Sequence, residues 1–288
     1  MRYLVHYPKA APPPWRRVHI RLHASAWSSP VWRRRKPLSD TIVPLRGAED
    51  FHLRHVRFPD ATTSLLLLTD LHWNGRQMKR YRKFADAIRQ LRYDRLLFGG
   101  DLAVFPDQIE DALTWLSGLQ PEKGTYSVLG NRETRLTWLN HDYWHRVFKT
   151  HGIRCLINES VTLQDNLLLF GLDDFRFGHP DWSPLKTARL PGQTVLSLCH
   201  NPDGAGASPV TQDIGDLVLC GHTHGGQLCI PWFGPIYTSS RYGRQFVHGW
   251  QERSDGTLQL TIAGVGESGF GLLRRRLFCP PELLLLEI

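Results

Sequence analysis

The sequence predicts a layered α/β sandwich, in which helices cover the outer faces of packed sheets. From residue 62 onward, short apolar runs alternate with segments of helical periodicity. After residue 152 the apolar runs dominate, so the second half of the chain is predicted to be rich in strands. With 288 residues and a hydrophobic fraction of 41%, the chain can bury the core of one such domain.

Three strand–helix units form the first half of this domain. Each begins with an apolar run of strand length, and the following segment repeats its apolar residues every three or four positions. The predicted elements are a strand at Ser64–Thr69, a helix at Arg76–Arg92, a strand at Arg95–Phe98, a helix at Asp107–Leu119, a strand at Thr125–Leu129 and a helix at Thr134–Thr150. Gly152 marks the end of the last helix.

Three further strands are predicted at Leu167–Leu172, Thr194–Leu198 and Leu217–Cys220. The segment Phe175–Gly192 separates the first two and contains Phe177, Trp182 and Leu185. Two interpretations of this segment stay open: a cap over an acyl chain of the substrate, or an ordinary packed loop.

Residues 1–60 are predicted to form a separate, partly irregular segment ahead of a catalytic domain at residues 61–288. They contain twelve Lys and Arg against four Asp and Glu, which accounts for the whole formal charge of +8. Trp15, Trp27 and Trp32 stand beside Arg16, Arg17 and Arg33, a pattern typical of segments that face anionic lipid. An anionic membrane surface is therefore an expected partner, and an unstructured basic tail is the alternative. A nucleic-acid partner is disfavoured, because no recognised binding fold accompanies the charge.

We expect neither a signal peptide nor a transmembrane helix. No apolar run approaches the roughly 20 residues that span a bilayer, and the N-terminus lacks the apolar core of a signal peptide. The five cysteines include no CxxC pair, which indicates reduced thiols. Cys199 and Cys220 lie in apolar runs and are expected to be small buried residues. We expect a cytoplasmic protein, either soluble or peripheral at the inner face of the membrane.

Five motifs carry metal-binding side chains, and each follows an apolar run. They are Thr69-Asp70-Leu71-His72, Gly99-Gly100-Asp101, Gly130-Asn131-Arg132-Glu133, Cys199-His200-Asn201 and Gly221-His222-Thr223-His224-Gly225-Gly226. Open α/β sheets place their sites beyond the carboxyl ends of the strands, so the motifs are expected to converge. Together they supply two Asp, one Asn and four His, enough for two divalent cations that share a carboxylate. Each motif alone is weak evidence; the ordered set is strong.

The order and wording of these motifs resemble the calcineurin-like binuclear metallophosphoesterase superfamily over roughly residues 62–288. The resemblance implies two mixed sheets flanked by helices, in an α/β/β/α order. It also implies that one cation is held by Asp70, His72, Asp101 and His224, and the second by Asp101, Asn131, His200 and His222. Asp101 would bridge the two cations. Mixed oxygen and nitrogen ligands favour Mn²⁺, Fe or Zn²⁺ over Mg²⁺ and Ca²⁺, and Mn²⁺ is expected here.

The chain departs from many family members at Arg132, where they carry His. Arginine cannot serve as a proton donor, but its planar fork can clamp phosphate oxygens. This change favours a leaving group that is already a stable anion, such as the phosphate released from a pyrophosphate. We therefore assign Asn131, Arg132 and His200 as the catalytic residues. The alternative for Arg132 is a loop arginine that pairs with Glu133 or Asp111, and Glu133 is expected to support the site without binding metal.

The Gly-Asn-Arg wording is similar to that of UDP-2,3-diacylglucosamine pyrophosphatases. The run from Gly221 to Gln227 and the tail from Gly264 to Leu286 look more like the membrane-associated branch of the superfamily. The expected function is metal-dependent hydrolysis of a phosphodiester or pyrophosphate bond, with a phosphorylated small molecule or lipid as substrate and UDP-2,3-diacylglucosamine favoured. The alternatives are a soluble nucleotide or cyclic-nucleotide phosphodiesterase and a metal-binding scaffold without catalysis.

The helix after the first motif begins with basic residues, namely Arg76, Lys79, Arg80, Arg82 and Lys83. They form either a solvated helix face or an electrostatic landing surface for an anionic substrate or membrane. On the second interpretation, Arg76 and Arg80 join Arg132 as substrate-binding residues.

Overall fold

Two β-sheets lie face to face at the centre of the molecule, and helices cover the outer face of each. The computed structural model describes residues 18–19, 37–164, 166–269 and 274–288. The predicted sandwich of two mixed sheets flanked by helices is confirmed.

The larger sheet contains most of the strands of the first half of the chain. Its described strands are β1 Val18–His19, β2 Ser39–Leu45, β3 Ala48–Arg57, β4 Ser64–Leu68, β5 Arg95–Phe98, β6 Thr125–Ser127, β7 Ile153–Cys155 and β16 Glu282–Glu287. They lie in the order β1-β2-β3-β16-β4-β5-β6-β7. From β4 to β7 neighbouring strands are parallel, so their carboxyl ends meet at one edge. β16 is parallel to β3 and antiparallel to β4.

The smaller sheet contains strands from the second half. Its described strands are β8 Glu159–Gln164, β9 Leu167–Gly171, β10 Thr194–Cys199, β11 Leu217–Cys220, β14 Gly249–Glu252 and β15 Leu258–Thr261. They lie in the order β14-β15-β11-β10-β9-β8. β12 Cys229–Ile230 and β13 Gly234–Pro235 form a separate antiparallel hairpin. Cys199 and Cys220 face each other on β10 and β11 and are buried, as predicted.

The described α-helices are short and amphipathic. They are α1 Met78–Ile88, α2 Ile109–Ser117, α3 Asn131–Thr134, α4 His141–Thr150, α5 Ser183–Ala188 and α6 Pro202–Gly206. Single 3₁₀ turns at Gly75–Gln77 and Pro106–Gln108 lead into α1 and α2. Within the described ranges, every helix falls short of the length and apolarity that a bilayer-spanning segment needs.

The apolar residues divide into layers because side chains alternate along each strand. On β4, Leu66 and Leu68 face α1, α2 and α4, whereas Leu65 and Leu67 face the smaller sheet. The outer face of the smaller sheet packs against α5 and α6. Strands buried on both faces read as continuous apolar runs, which explains why the sequence located them.

The predicted strands that precede the five motifs are confirmed, with ends that differ by at most two residues. The predicted helix at Thr134–Thr150 is wrong in its first half. The helix α4 begins only at His141, because the side chain of Asn140 accepts a hydrogen bond from the backbone N–H of Tyr143 at 2.9 Å. An Asn in this position caps a helix N-terminus, so α4 starts afresh there.

Part of the predicted N-terminal segment belongs to the larger sheet. β2 and β3 lie within residues 1–60 and pair with each other, and β3 also pairs with β16. Arg54 on β3 is fully buried and forms an ion pair with Asp40 on β2 at 2.6 Å. Residues 39–57 are therefore ordered strands rather than an irregular segment. The basic and aromatic residues predicted to face lipid, namely Trp15, Arg16, Arg17, Trp27, Trp32 and Arg33, lie outside the described residues.

The segment Phe175–Gly192 packs as a loop around the short helix α5. Trp182 and Leu185 are buried, and the ring of Trp182 stacks on Phe170 of β9 with centroids 5.5 Å apart. Of the two interpretations of this segment, the packed loop therefore describes these two side chains, whereas Phe177 is exposed.

Candidate metal centre

The candidate ligands all lie just beyond the carboxyl ends of parallel strands. β4 leads to Asp70 and His72, β5 to Asp101, β6 to Asn131, β10 to His200, and β11 to His222 and His224. Five of these seven residues have left-handed backbone, with φ between 43° and 69°; they are Asp70, His72, Asp101, His222 and His224. Residues other than glycine adopt this conformation rarely, and such strain is concentrated at functional sites.

Glycines allow the loops to approach one another closely. A Cβ at Gly221 would collide with the carboxylate of Asp70, and a Cβ at Gly130 would collide with the backbone and carboxylate of Asp101. Both glycines are therefore required by the ligands of neighbouring strands, which explains their place in the motifs.

The first group of candidate ligands is formed by Asp70, His72 and His224. Their ligand atoms lie within 4.8 Å of one another, and all three residues are buried. The Nε2 atoms of His72 and His224 are 3.0 Å apart. Two imidazole nitrogens this close together could both bind one cation.

The second group is centred on His200. Its Nε2 lies 3.1 Å from Asn131 Oδ1, 3.2 Å from His222 Nδ1 and 3.5 Å from Asp101 Oδ1. The opposite ring nitrogen, Nδ1, donates to the carbonyl of Gly99 at 2.7 Å. This hydrogen bond fixes the ring, so that the lone pair of Nε2 faces the group.

Asp101 connects the two groups. Its Oδ2 lies 3.4 Å from His72 Nε2, and its Oδ1 lies 3.5 Å from His200 Nε2. Asp70 also reaches both groups, since Asp70, Asp101 and His200 form a second cluster of ligand atoms within 4.8 Å. The structure thus brings all seven predicted ligands together, and a shared carboxylate lies between the groups.

Burial and crowding oppose the charged forms of these side chains. Burial, together with the charge of Asp70, raises the pKa of Asp101 to about 6. Burial also holds the pKa values of His72, His222 and His224 well below the usual range. For His200 the effect of burial is overcome by the carboxylates of Asp101 and Asp70, which raise its pKa to about 9. A bound cation would favour ionised carboxylates and neutral imidazoles, and would relieve this conflict.

The donor set fits two divalent cations. Asp70 Oδ1 and His222 Nε2 are buried and have no hydrogen-bond partner among the described residues. Buried polar atoms without a partner are rare in proteins, and a cation would satisfy them. When bound, two divalent cations activate water and neutralise the oxygens of a phosphorus ester. The seven candidate ligands would set the positions of both cations.

Arg132 and Glu133 follow the candidate ligand Asn131 on α3. The backbone N–H of Arg132 donates to Asp101 Oδ1 at 2.8 Å. After burial, the positive charge of Arg132 is the largest influence that lowers the pKa of His72. Both oxygens of Glu133 accept hydrogen bonds from backbone N–H groups, so Glu133 supports the loops, as expected.

The other predicted substrate-binding residues have different surroundings. Arg80 forms ion pairs with Asp50 at 3.0 Å and Glu267 at 3.7 Å, and it lies over the ring of Phe51. Arg76 is exposed on the 3₁₀ turn before α1. The structure accounts for Arg80 through these ion pairs, and a role of either residue in substrate binding stays a prediction.

Sequence reasoning missed Asp174, which is fully buried in the loop after β9. Its Oδ2 accepts hydrogen bonds from Thr134 Oγ1 and from the backbone of residues 176 and 177, while Oδ1 has no hydrogen-bond partner among the described residues. Its charge contributes to the raised pKa of His200. A signal was present, because Asp173 and Asp174 follow an apolar run in the same way as the five motifs do.

Sequence reasoning also missed Arg276, which lies in the segment before β16. Its guanidinium donates to the carbonyl oxygens of His224, Ala263, Gly264 and Gly266 at 2.6–3.1 Å. It therefore fastens the loop of His224 to the loop that follows β15. No pattern in the sequence marks this residue, since it stands in a run of three arginines outside any predicted element.

This fold and this site define a metal-dependent hydrolase of phosphorus esters. The chain belongs to the calcineurin-like phosphoesterase family, whose profile matches residues 63–226. Membership of this family implies a binuclear site for divalent metals, in agreement with the two groups of candidate ligands.

Two relatives illustrate the similarity. Phosphodiesterase YaeI of Escherichia coli is 30% identical over 239 residues, which cover 79% of this chain and 83% of that protein. An uncharacterized metallophosphoesterase of Helicobacter pylori is 28% identical over 243 residues, which cover 80% of this chain and 60% of that protein. Among solved structures, a dimetal phosphatase from Danio rerio gives a TM-score of 0.47 at 11% identity, covering 71% of this chain and 88% of that chain.

Proposed function

We propose that the protein hydrolyses a phosphodiester or pyrophosphate bond whose leaving group departs as a stable anion. The observation that carries this proposal is the position of Arg132. Its backbone N–H is bonded to Asp101, and its charge acts on His72 and Asp101 at the first group of candidate ligands. We infer that the guanidinium of Arg132 contacts a phosphate bound between the two groups of candidate ligands.

The chemistry of arginine defines the preferred substrate. The guanidinium fork offers two parallel N–H donors to the non-bridging oxygens of a phosphate, which stabilises their growing charge. It cannot release a proton, because its pKa lies above ~12. An alkyl phosphate monoester needs such a proton on its leaving oxygen. A pyrophosphate or an activated diester does not.

The name of the relative YaeI, a phosphodiesterase, supports the diester class. UDP-2,3-diacylglucosamine stays a prediction from the resemblance at Gly130-Asn131-Arg132, since neither relative described above has a name that points to it. The seven converging ligands argue against the alternative of a metal-binding scaffold without catalysis, because such a protein has no need to keep them.

We further propose that the two cations are Mn²⁺. The donor set mixes carboxylate and amide oxygens with four imidazole nitrogens, whereas Mg²⁺ and Ca²⁺ prefer shells of oxygen alone. Fe and Zn²⁺ accept the same donors, so loading the apoprotein with each metal in turn tests this assignment.

Hydrolysis of matched chromogenic esters tests the proposed function. With Mn²⁺ present, we expect the enzyme to turn over bis(p-nitrophenyl) phosphate at least about tenfold faster than p-nitrophenyl phosphate. The variant Arg132→His is expected to narrow this ratio, because imidazole can protonate a leaving group. Equal turnover of the monoester by the wild-type enzyme would contradict the proposal. UDP-2,3-diacylglucosamine, assayed beside them, tests the finer prediction.

For residues 1–60 we propose a contact with anionic membrane, which their composition supports. Arg54 and Arg57 do not contribute, because they pair with Asp40 and Glu287. The remaining candidates include Arg16, Arg17 and the run of basic residues at 33–36. Changing Arg33, Arg34 and Arg35 together to Glu is expected to weaken binding to anionic vesicles; unchanged binding would refute this contact.

A further inference from the structure

A cluster of large apolar side chains is exposed beside the candidate metal centre. It lies on the β12–β13 hairpin, the residues that follow it and the neighbouring segment before β16. We call it the aromatic surface, and its members are Ile230, Trp232, Phe233, Ile236, Tyr237 and Phe278. Trp232, at the tip of the hairpin, is 83% exposed. Single exposed apolar residues need no explanation, but a contiguous group marks an interaction site.

The aromatic surface is held in place by its backbone. The N–H of Cys229 donates to the carbonyl of Leu277 at 2.9 Å, which joins the hairpin to the segment that carries Phe278. Arg244 donates to the carbonyls of Phe233 and Pro235 and lies 4.2 Å above the ring of Phe233. The side chains therefore form one surface with a fixed shape.

Two of the aromatic residues adopt unusual backbone conformations. Trp232 has a φ of 66° and Phe278 a φ of 52°, which bulky residues rarely adopt. Trp232 lies in the three-residue turn between β12 and β13, and hairpin turns of this length often contain a left-handed residue. The turn therefore presents a large apolar side chain where small or polar residues are usual.

Arginine supplies the formal charge of the two stretches of chain that form the aromatic surface. The sequence contains no Asp or Glu between residues 228 and 251 or between residues 268 and 281, and these two stretches contain five Arg. Arg241, Arg244 and Arg275 are exposed. Trp and Tyr favour the level of lipid headgroups, and Arg binds anionic lipids there, so this combination complements an anionic bilayer.

The aromatic surface is mechanically connected to the metal centre. His224 and the two glycines after it lead directly into the hairpin. Arg276 and Cys279, on either side of Phe278 and Leu277, both donate to the carbonyl of His224, at 3.1 and 3.2 Å. A bilayer that receives the aromatic surface would thus lie next to the loop of a candidate ligand.

We propose that the aromatic surface docks on an anionic lipid bilayer, with Trp232 and Phe233 entering the headgroup layer and Arg275 facing anionic headgroups. This contact is separate from the one proposed for residues 1–60 and does not depend on the reaction that the enzyme performs. It brings the bilayer next to the segments that hold the loop of His224.

Co-sedimentation of the full-length chain with vesicles tests this proposal. The vesicles contain phosphatidylcholine alone or phosphatidylcholine with phosphatidylglycerol. We expect the double variant Trp232→Ser, Phe233→Ser to lower the partition onto the mixed vesicles at least about tenfold, because two apolar side chains no longer leave water. The matched control is Trp138→Ser, since Trp138 is also 72% exposed but lies outside the surface. It should sediment like the wild type.

Further variants and measurements distinguish the contact with the bilayer from other contacts of the aromatic surface. Arg275→Gln is expected to weaken binding only when phosphatidylglycerol is present, and less so at high salt. Thermal unfolding of each variant shows whether it keeps the wild-type fold. Wild-type sedimentation of a folded double variant would overturn the proposal. So would a double variant that changes only the oligomeric state in light scattering, because the surface would then join two copies of the chain. Since the readout is sedimentation, failure here leaves the proposed hydrolase untouched.

Discussion

The carboxylate of Glu133 accepts a hydrogen bond from the backbone N–H of Asp101 at 2.9 Å, so one buried acid positions another. The same carboxylate accepts from the N–H groups of Leu102 and Gly130 at 2.8 and 2.7 Å. Three loop amides at the ends of β5 and β6 thus share one anchor. The positions of Asp101 and Asn131 depend on a side chain that is not among the proposed ligands.

The first prediction concerns this anchor. Glu133→Gln replaces an acceptor oxygen with an NH₂ group, which faces backbone donors instead of accepting from them. We expect the affinity for Mn²⁺ to fall by roughly ten- to hundredfold, the usual effect of losing a group that orients ligands. Isothermal titration of the apoprotein measures it. Glu122→Gln, at an exposed position, is the control, and an unchanged affinity in Glu133→Gln would show that the anchor is dispensable.

The second prediction concerns the shared carboxylate. Asp101→Ala removes the group whose two oxygens face His72 and His200. We expect the protein to retain fewer than two metal ions per chain after dialysis, and kcat to fall by roughly a hundredfold or more. Elemental analysis of the dialysed protein gives the metal content. Two retained metals with full activity would refute the bridging role.

The third prediction concerns Arg276. Arg276→Met leaves the carbonyl oxygens of Ala263 and Gly266 without their donor, and buried acceptors without partners are costly. We expect the free energy of unfolding in urea, with metal removed, to fall by about 3 kcal/mol. Arg275→Met changes the exposed neighbour in the same way and should have little effect. Equal stability of the two variants would mean that the guanidinium does not hold the loops.

The fourth prediction concerns pH. Burial alone would raise the pKa of Glu282, but His248 and Arg54 hold it at about 2, below its ordinary value of 4.5. Glu282 in turn outweighs burial at His248 and raises the pKa of that imidazole above its ordinary 6.5. The stabilisation of the folded state by ionised Glu282 is therefore complete above pH 4.5 and is lost as the pH falls towards 2. The stabilisation by protonated His248 is complete below pH 6.5 and is lost as the pH rises through the raised pKa of His248.

The pair accordingly stabilises the fold most between pH 4.5 and 6.5. In that range the free energy of unfolding of the wild-type chain should exceed that of Glu282→Gln by up to about 3 kcal/mol. This difference between the two proteins should shrink towards pH 3. Urea unfolding of the metal-free proteins across pH measures both. A difference that stays constant from pH 3 to 6 would exclude this linkage.

The sequence predicted the strands that carry the ligands because they are buried on both faces. β4, β5, β10 and β11 consist almost wholly of apolar residues and end at glycines or polar motifs. Such runs need no knowledge of distant neighbours. Parallel pairing brings together the carboxyl ends of β4 and β5 in one sheet and those of β10 and β11 in the other. The packing of the two sheets face to face then brings the two pairs together.

The remaining parts depend on contacts between distant segments. β3 was missed because Arg54 and His52 interrupt its apolar pattern, and only the structure shows that Asp40 neutralises Arg54. Arg276 was missed for a similar reason, since its partners are carbonyl groups, which the side-chain pattern does not reveal. Asp174 could have been found, because it follows β9 in the manner of the proposed ligands.

The position of β16 between β3 and β4 has a consequence for synthesis of the protein. β4 delivers Asp70, yet its neighbour on one side comes from residues 282–287, more than 200 positions later. A nascent chain on the ribosome cannot complete this sheet until residues 282–287 have emerged. We therefore expect growing polypeptides to reach catalytic competence only in one late step, so that partial translation products stay inert.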